Sequence, residues 1–500
     1  MKTGFLIAGA LALSATAASA QTLRIGLLDD PDLLDPAPGK SFVGRIVFQS
    51  MCDKLVDISP DLKIVPRLAL SWETTEDGKV LTFKLRDGVT FQDGEPFNAA
   101  AVKYNIERDK TMPESIRKAE LASVDTVEVI DPLTVRFNLK KPDSTLLAAL
   151  TDRSGMMVAP EAAKQAGAKF GLNPVCSGPY KFVERVQQDH ITLARDPNYW
   201  NAKAFSFEKI VFRTIPDSTA RLASLRSGDL DIAERVEPTD VKELEAQKGF
   251  KVFSVVSLGY QGLTINVANG PASKAPIGQD KRIRQALSLA IDRQGLVDAA
   301  FDGQFVPAGQ AVPPVSPYYS DKFPPPARDL DKAKALLKAA GVEHPVLNLR
   351  YTTSSRGQKV NEIIQAMAAE AGFDVKLVST EFATQMKVQT DGDFEGSQIG
   401  WSGRPDPDGN IYSFYVCGGG LNDSHYCNQD VDKILGDARL TTDVAARKAL
   451  YEKFNAIALD ELPIIYLYFE KWIWGVTAKL QGFTPYPDGM IRLEGVKLAQ

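Results

Sequence analysis

Residues 80–105 read VLTFKLRDGVTFQDGEPFNAAAVKYN. Leu81, Phe83 and Leu85 fall at every second position, so one face of a strand is apolar. Asp87-Gly88 supplies a tight turn, and Phe91 leads to a second turn at Asp93-Gly94. Asn98 stands where an N-cap belongs, ahead of the Ala-rich run that opens the next helix.

Working outward, Leu23–Leu28 reads as a short apolar strand, and residues 29–40 (DDPDLLDPAPGK) as a loop rich in turn formers. Val43 to Leu55 carries apolar residues at helical spacing. Val124 to Leu139 is a hairpin turning at Asp131-Pro132, with Val135, Phe137 and Leu139 alternating. In the second half, Ile283, Ala286, Leu287, Ala290 and Ile291 share one helical face. Leu347–Thr352 is a strand, Val360, Ile363, Ile364, Met367, Ala368 and Ala371 line a helix, and Phe373–Val378 is a strand again. Strand, helix and strand at this spacing make a βαβ unit and a partly parallel sheet. The fold class is therefore α/β, with mixed sheets flanked by helices.

The stretch 400–415, GWSGRPDPDGNIYSFY, reads as a buried strand breaking into an exposed polar loop. Trp401 offers a flat apolar face and Arg404 a planar fork of donors suited to a carboxylate or phosphate. Asp406, Pro407, Asp408 and Gly409 form a turn cluster. An aromatic wall beside an anion fork suits a small-molecule pocket; the plainer alternative is a surface turn in which Arg404 pairs with Asp406 or Asp408.

Residues 1–20 have the form of a secretory signal peptide: Lys2, an apolar run from Gly4 to Leu13, and Ala18-Ser19-Ala20 at the expected cleavage point. The mature chain is expected to begin at Gln21. Removing Lys2 leaves 57 bases against 63 acids, a net charge of −6. No basic run exists, so nucleic acid is not an expected partner. About 480 residues exceed the usual size of one core, so two domains or one with insertions is expected.

Four cysteines suit an oxidising compartment. Cys417 and Cys427 sit ten apart in a Gly-rich loop and are expected to pair, which leaves Cys52 for Cys176. The three histidines, His190, His344 and His425, are scattered, and no C-x-x-C, HExxH, GxSxG, Walker A or GxGxxG motif occurs. No catalytic residues, metal or cofactor are expected.

The run from Leu85 to Val102 resembles the signature of the bacterial extracellular solute-binding proteins of family 5, the periplasmic components of peptide, opine and nickel ABC importers. The pattern R-x-G-V-x-F-x-D-G-x-P-F followed by an Ala-rich helix is met in full. NPVCSGPYKF at 173–182, RDPNYW at 195–200 and KRIRQALSLAIDR at 281–293 are also similar to family segments. Cys176 stands where the family usually has Gly. The resemblance covers nearly the whole mature chain.

It implies the two-lobe periplasmic binding protein fold of type II, the large cluster with an extra inserted subdomain. Lobe I would comprise residues 21–262 and 471–500, with the insertion at about 56–170; lobe II would comprise 263–470. Ligand would sit in the interlobe cleft, closed by hinge motion, and the expected partners are a solute and an inner-membrane ABC permease, with the binder a monomer in the periplasm.

In dipeptide- and oligopeptide-binding relatives an Asp three residues after the matching Trp holds the peptide's ammonium group. Here that position is Arg404, which favours a ligand with an acidic group unless Asp406 or Asp408 replaces the lost carboxylate. Arg153, upstream of Ala159-Pro160, matches by spacing an arginine that grips a carboxylate in nickel-chelate binders. The candidate ligand contacts are Arg404, Trp401, Ser402, Arg153, Asp406 and Tyr468. An acidic peptide-like solute such as glutathione or an opine is the first reading and a metal–carboxylate chelate the second. A neutral or cationic peptide is the third. An exported hydrolase using Asp406 and Asp408 is a distant fourth.

Overall fold

A computed structural model describes residues 21–499. The signal-peptide expectation for residues 1–20 lies outside them. No helix of the described residues is long and apolar enough to cross a membrane.

The stretch at 80–105 folds as its pattern dictates. Val80–Leu85 buries Leu81, Phe83 and Leu85 and turns Lys84 outward. Gly88 and Gly94 take the left-handed backbone that both turns require, at φ 71° and 92°. Asn98 caps the helix Ala99–Thr111, its side chain accepting from the backbone N–H groups of Ala100 and Ala101. The strand is one of four in an antiparallel sheet ordered Ala69–Thr74, Val80–Leu85, Thr134–Leu139, Val124–Asp131. This sheet and its helix enclose a separate apolar core from Leu55 to Ala159.

Two larger sheets flank the main cleft. The first has seven strands in the order Phe250–Val256, Lys471–Thr477, Ile232–Ala233, Thr22–Leu27, Lys209–Thr214, His190–Arg195, Tyr180–Val186. Its central strand Thr22–Leu27 pairs in parallel with both neighbours, and the other pairings are antiparallel. The second has six strands: Val306–Pro307, Ile464–Phe469, Tyr260–Ile265, Gly396–Trp401, Val346–Thr352, Asp374–Thr380. Val346–Thr352 runs parallel to Asp374–Thr380 and to Gly396–Trp401, as the strand–helix–strand pattern requires.

The chain passes from the first large sheet to the second at residues 257–259 and returns at Glu470. Gly262 lies inside the strand Tyr260–Ile265, just after the first crossing. A single apolar cluster runs through this hinge, joining Leu225, Val236 and Ile473 of the first lobe to Leu263, Ile465 and Tyr468 of the second. The lobes are thus continuous at the crossings.

Both expected cystine pairs form. Cys52–Cys176 ties the end of the helix Phe42–Met51 to the 173–178 turn, and Cys417–Cys427 closes the Gly-rich loop. The Gln92 amide reinforces the first tie by donating to the carbonyls of Met51, Gly178 and Tyr180.

Candidate functional site

Two cavities lie between the lobes, one on each side of Trp401. The larger, about 540 Å³, is walled by Ala119, Glu120 and Asp152 of the inserted subdomain and by Trp401, Arg404 and Arg439 of the second lobe. The smaller, about 270 Å³, lies at the hinge and is lined by Arg235, Ser257, Arg356, Ser402, Tyr468 and Glu470. Both volumes suit a small ligand, the larger comfortably.

Trp401 ends the strand Gly396–Trp401, opposite Tyr260. The loop then turns sharply against the first crossing. Gly403 has φ 83°, and a Cβ there would stand 2.1 Å from the Leu258 carbonyl carbon. A Cβ on Gly259 would stand 1.7 Å from the Trp401 oxygen. Glycine on both sides is therefore what lets the site loop touch the hinge.

Beyond the loop the structure departs from the sequence reading. Residues 408–415 form a helix, and the segment is largely covered: Asp408 and Asn410 are buried. Asp406 does not pair with Arg404. Its carboxylate is gripped at both oxygens by Arg447, at 2.5 and 2.7 Å. Asp408 is gripped the same way by Arg439, at 2.8 Å twice. Both aspartates are committed to anchoring the helix Asp408–Tyr415 on its neighbours, and neither offers a free carboxylate to a ligand ammonium or an acid/base pair to a substrate. Both aspartates also line the larger cavity, each with its carboxylate held by an arginine.

Arg404 is half-buried at the wall of the larger cavity. It touches its own loop, through the Gly403 carbonyl at 2.8 Å, and its guanidinium lies 4.7 Å from the Trp401 ring centre. No carboxylate among the described residues forms an ion pair with it. Burial pushes its pKa down to about 10; Arg45 and Arg117 push the same way, and Asp152 and Glu120 pull against them.

Arg153 sits behind the same wall and is 2% exposed. It donates to the Gly39 carbonyl at 2.8 Å, and its Nε has no hydrogen-bond partner among the described residues. Among the described residues its one ion-pair partner is Asp152, at 3.9 Å. Burial lowers its pKa to about 9, and Arg117, Arg45 and Arg404 add to that against Asp152. The Asp152 carboxylate is more fully used by Arg45, at 3.0 and 3.1 Å. Arg45 and Arg153 hold Asp152 far below the usual carboxylate range, although burial alone would raise it. Arg117 completes the group, bonded to Glu120 at 2.6 Å. Arg45 and Arg117 thus each hydrogen-bond a carboxylate, and Arg153 and Arg404 do not.

The hinge cavity is different. Arg356 reaches across the lobes to Glu237 at 2.6 Å and to Glu470 at 3.5 Å. Arg235 lies 3.8 Å from Glu470 and 4.5 Å from the Trp472 ring centre. Tyr468 is buried and packs on Phe301 and Phe305, so it forms a floor belonging partly to the core. Ser402 lines this side.

Trp401, Ser402 and Arg404 therefore converge on the cleft, with Tyr468 on the hinge side and Arg153 one layer behind. Glu120 and Asp152 line the larger cavity, Arg45 and Arg117 stand behind it near Arg153 and Arg404, and none of the first four was singled out from sequence. Arg45 had one signal: a charged residue inside the otherwise apolar run FVGRIVF.

The inserted subdomain also touches the second lobe directly. Ser144 donates through both its backbone N–H and its hydroxyl to the Arg439 carbonyl, each at 2.9 Å, at the last turn of the helix Gln429–Leu440. That contact closes the outer rim of the larger cavity.

Comparison with known proteins agrees with this architecture. The family description of bacterial extracellular solute-binding proteins, family 5, matches residues 63–422. The glutathione-binding protein GsiB of Pectobacterium atrosepticum is 30% identical over 481 residues, covering 93% of this chain and 92% of the relative. The protein of the same name from Shigella flexneri is 28% identical over 513 residues, 99% of each chain. Among solved structures, AgaA of A. tumefaciens in complex with agropinic acid superposes with a TM-score of 0.81 at 28% identity, covering 96% of this chain and 99% of that one. The ABC transporter substrate-binding protein CtaP of Listeria monocytogenes does so with a TM-score of 0.87 at 25% identity, over 96% and 100%. With its two lobes, inserted subdomain and signature turns, the chain belongs to the bacterial extracellular solute-binding proteins of family 5.

Proposed function

We propose that this chain captures a peptide-like solute carrying two negative groups in the periplasm and delivers it to an inner-membrane ABC permease. The observation that carries this reading is a pair of guanidinium groups without a carboxylate of their own: Arg404, which lines the larger cavity, and Arg153 behind it, with Arg45 and Arg117 close by. Buried charges that lack partners are costly, so an arrangement of this kind is stabilised by an anion between them. Charge-assisted contacts of this type contribute roughly 1.5–3 kcal/mol each.

Support also comes from the position of Arg404. A guanidinium there repels a free ammonium group, and Asp406 is engaged by Arg447 and cannot neutralise one. The names of the relatives, glutathione-binding and in complex with agropinic acid, fit acidic peptide-like solutes. Capture needs no bond chemistry: the lobes close, water is excluded, and the closed face is what a permease reads.

The test is calorimetric titration of the exported protein, freed of bound solute, with four ligands: reduced glutathione, an acidic opine, a neutral dipeptide and a nickel–carboxylate chelate. Binding of glutathione or the opine at least tenfold tighter than of the dipeptide is the expected result. Preference for the neutral dipeptide overturns the reading.

A further inference from the structure

Asn410 lies on the first turn of the helix Asp408–Tyr415 and is 2% exposed. It lines neither cavity. Its side-chain oxygen accepts two hydrogen bonds, from the Trp401 indole Nε1 at 3.0 Å and from the Arg404 backbone N–H at 2.7 Å. Its side-chain nitrogen donates to the Arg404 carbonyl at 3.0 Å. One amide therefore uses both acceptor positions and one donor on two residues of the site loop.

We propose that Asn410 is the positioning residue of the solute site, the single buried amide that sets the Trp401 indole and the Arg404 backbone in register with the cleft. This rests on the reading that Arg404 receives an anionic group of the solute.

The argument is one of lost pairing. The strand ends at Trp401, and Gly403 turns the chain away, so Arg404 has no sheet neighbour to bind its N–H and C=O groups. Asn410 supplies both missing partners, as a neighbouring strand would. The same oxygen fixes the rotation of the indole, on whose face the Arg404 guanidinium rests at 4.7 Å. Ring, backbone and guanidinium are thus held by one group.

Asn410 can do this because its helix is itself held rigidly. Asp406–Arg447 and Asp408–Arg439 bind the start of that helix to the helices Val444–Glu461 and Gln429–Leu440. Asparagine is the residue the geometry requires. Aspartate would turn its second oxygen toward the Arg404 carbonyl, and alanine would leave three polar groups without partners.

The test is a double-mutant cycle read by calorimetric titration with reduced glutathione. Asn410→Ala is expected to weaken binding at least tenfold in the wild-type background and less than twofold in the Arg404→Ala background, because it acts through Arg404. Equal losses in both backgrounds, or no loss in the first, overturn the positioning role. If Arg404→Ala itself changes nothing, or wild type does not bind glutathione, the functional reading fails. The positioning role is then decided by hydrogen exchange of the Trp401 indole N–H, assigned by Trp401→Phe. Protection in wild type that is lost in Asn410→Ala supports it; identical exchange overturns it. Should Asn410→Ala not fold, Asn410→Ser, which removes the amide donor, goes through the same cycle with the same two outcomes.

Discussion

The two cavities on either side of Trp401 differ in how their charges are matched. At the hinge, Arg235 and Arg356 face Glu237 and Glu470, and the pairs bridge the lobes. At the outer cavity Arg404 lines the wall without an ion pair among the described residues, and Arg153 behind it has Asp152 only at 3.9 Å. The first pattern is complete without a ligand and serves to hold the lobes in relation. The second is incomplete without an anion. The same residue type, arginine in a cleft, thus has a structural use on one side of an indole ring and a recognition use on the other. What separates them is whether each guanidinium has a carboxylate paired to it.

If that contrast is right, charge reversal in the outer cavity has the largest effect. Arg404→Asp is expected to weaken an acidic solute by at least tenfold, about 1.4 kcal/mol, with the fold intact by circular dichroism. Unchanged affinity in a titration removes Arg404 from the site.

Arg153→Met sharpens the comparison because two readouts should move in opposite directions. Affinity for the acidic solute is expected to fall several-fold. The melting temperature of the ligand-free protein should stay level or rise, since a buried and poorly paired charge has gone. A lower ligand-free melting temperature makes Arg153 a structural residue like those at the hinge.

The pH dependence follows from the lowered pKa values. Burial places Arg153 at about 9 and Arg404 at about 10 in the ligand-free protein. Both are charged at neutral pH, so affinity is expected to be level from about pH 6 to 8, well above the carboxylate pKa range. A guanidinium keeps its proton throughout this range, so a fall in affinity between pH 6 and 8 contradicts the assignment of these two groups.

The smallest effect belongs to the hinge. Glu237→Gln removes a half-exposed ion pair with Arg356, of a kind worth at most about 1 kcal/mol. Affinity should change by less than about threefold, read by the same titration. A tenfold loss would place solute at the hinge cavity instead.

Much of the fold was legible because it is written in short-range periods. The alternation of Val135, Phe137 and Leu139, the cap at Asn98 and the βαβ spacing at 347–378 each depend on neighbours a few residues away. The site was legible only where it is one segment: Trp401, Ser402 and Arg404 share a loop whose composition announces it. Arg45, Arg117 and Asp152 come from three separate segments of the first lobe, and only tertiary folding brings them to that loop. The aspartates after Arg404 misled for the same reason. Their partners, Arg439 and Arg447, lie 31 and 41 residues downstream on helices. The turn chemistry of DPDGN likewise hid a helix start, because Pro407 caps it without a side-chain hydrogen bond.

The central claim is that the outer cavity is built for two negative groups, and the solute itself tests it. Small molecules released by denaturing the protein purified from its native host are identified by mass spectrometry. Closed-cleft binders retain ligand well, since occupancy at 100 times Kd adds about 2.7 kcal/mol of stability. The account predicts a peptide-like molecule with two or more acidic groups. A neutral or basic peptide as the retained solute would contradict it.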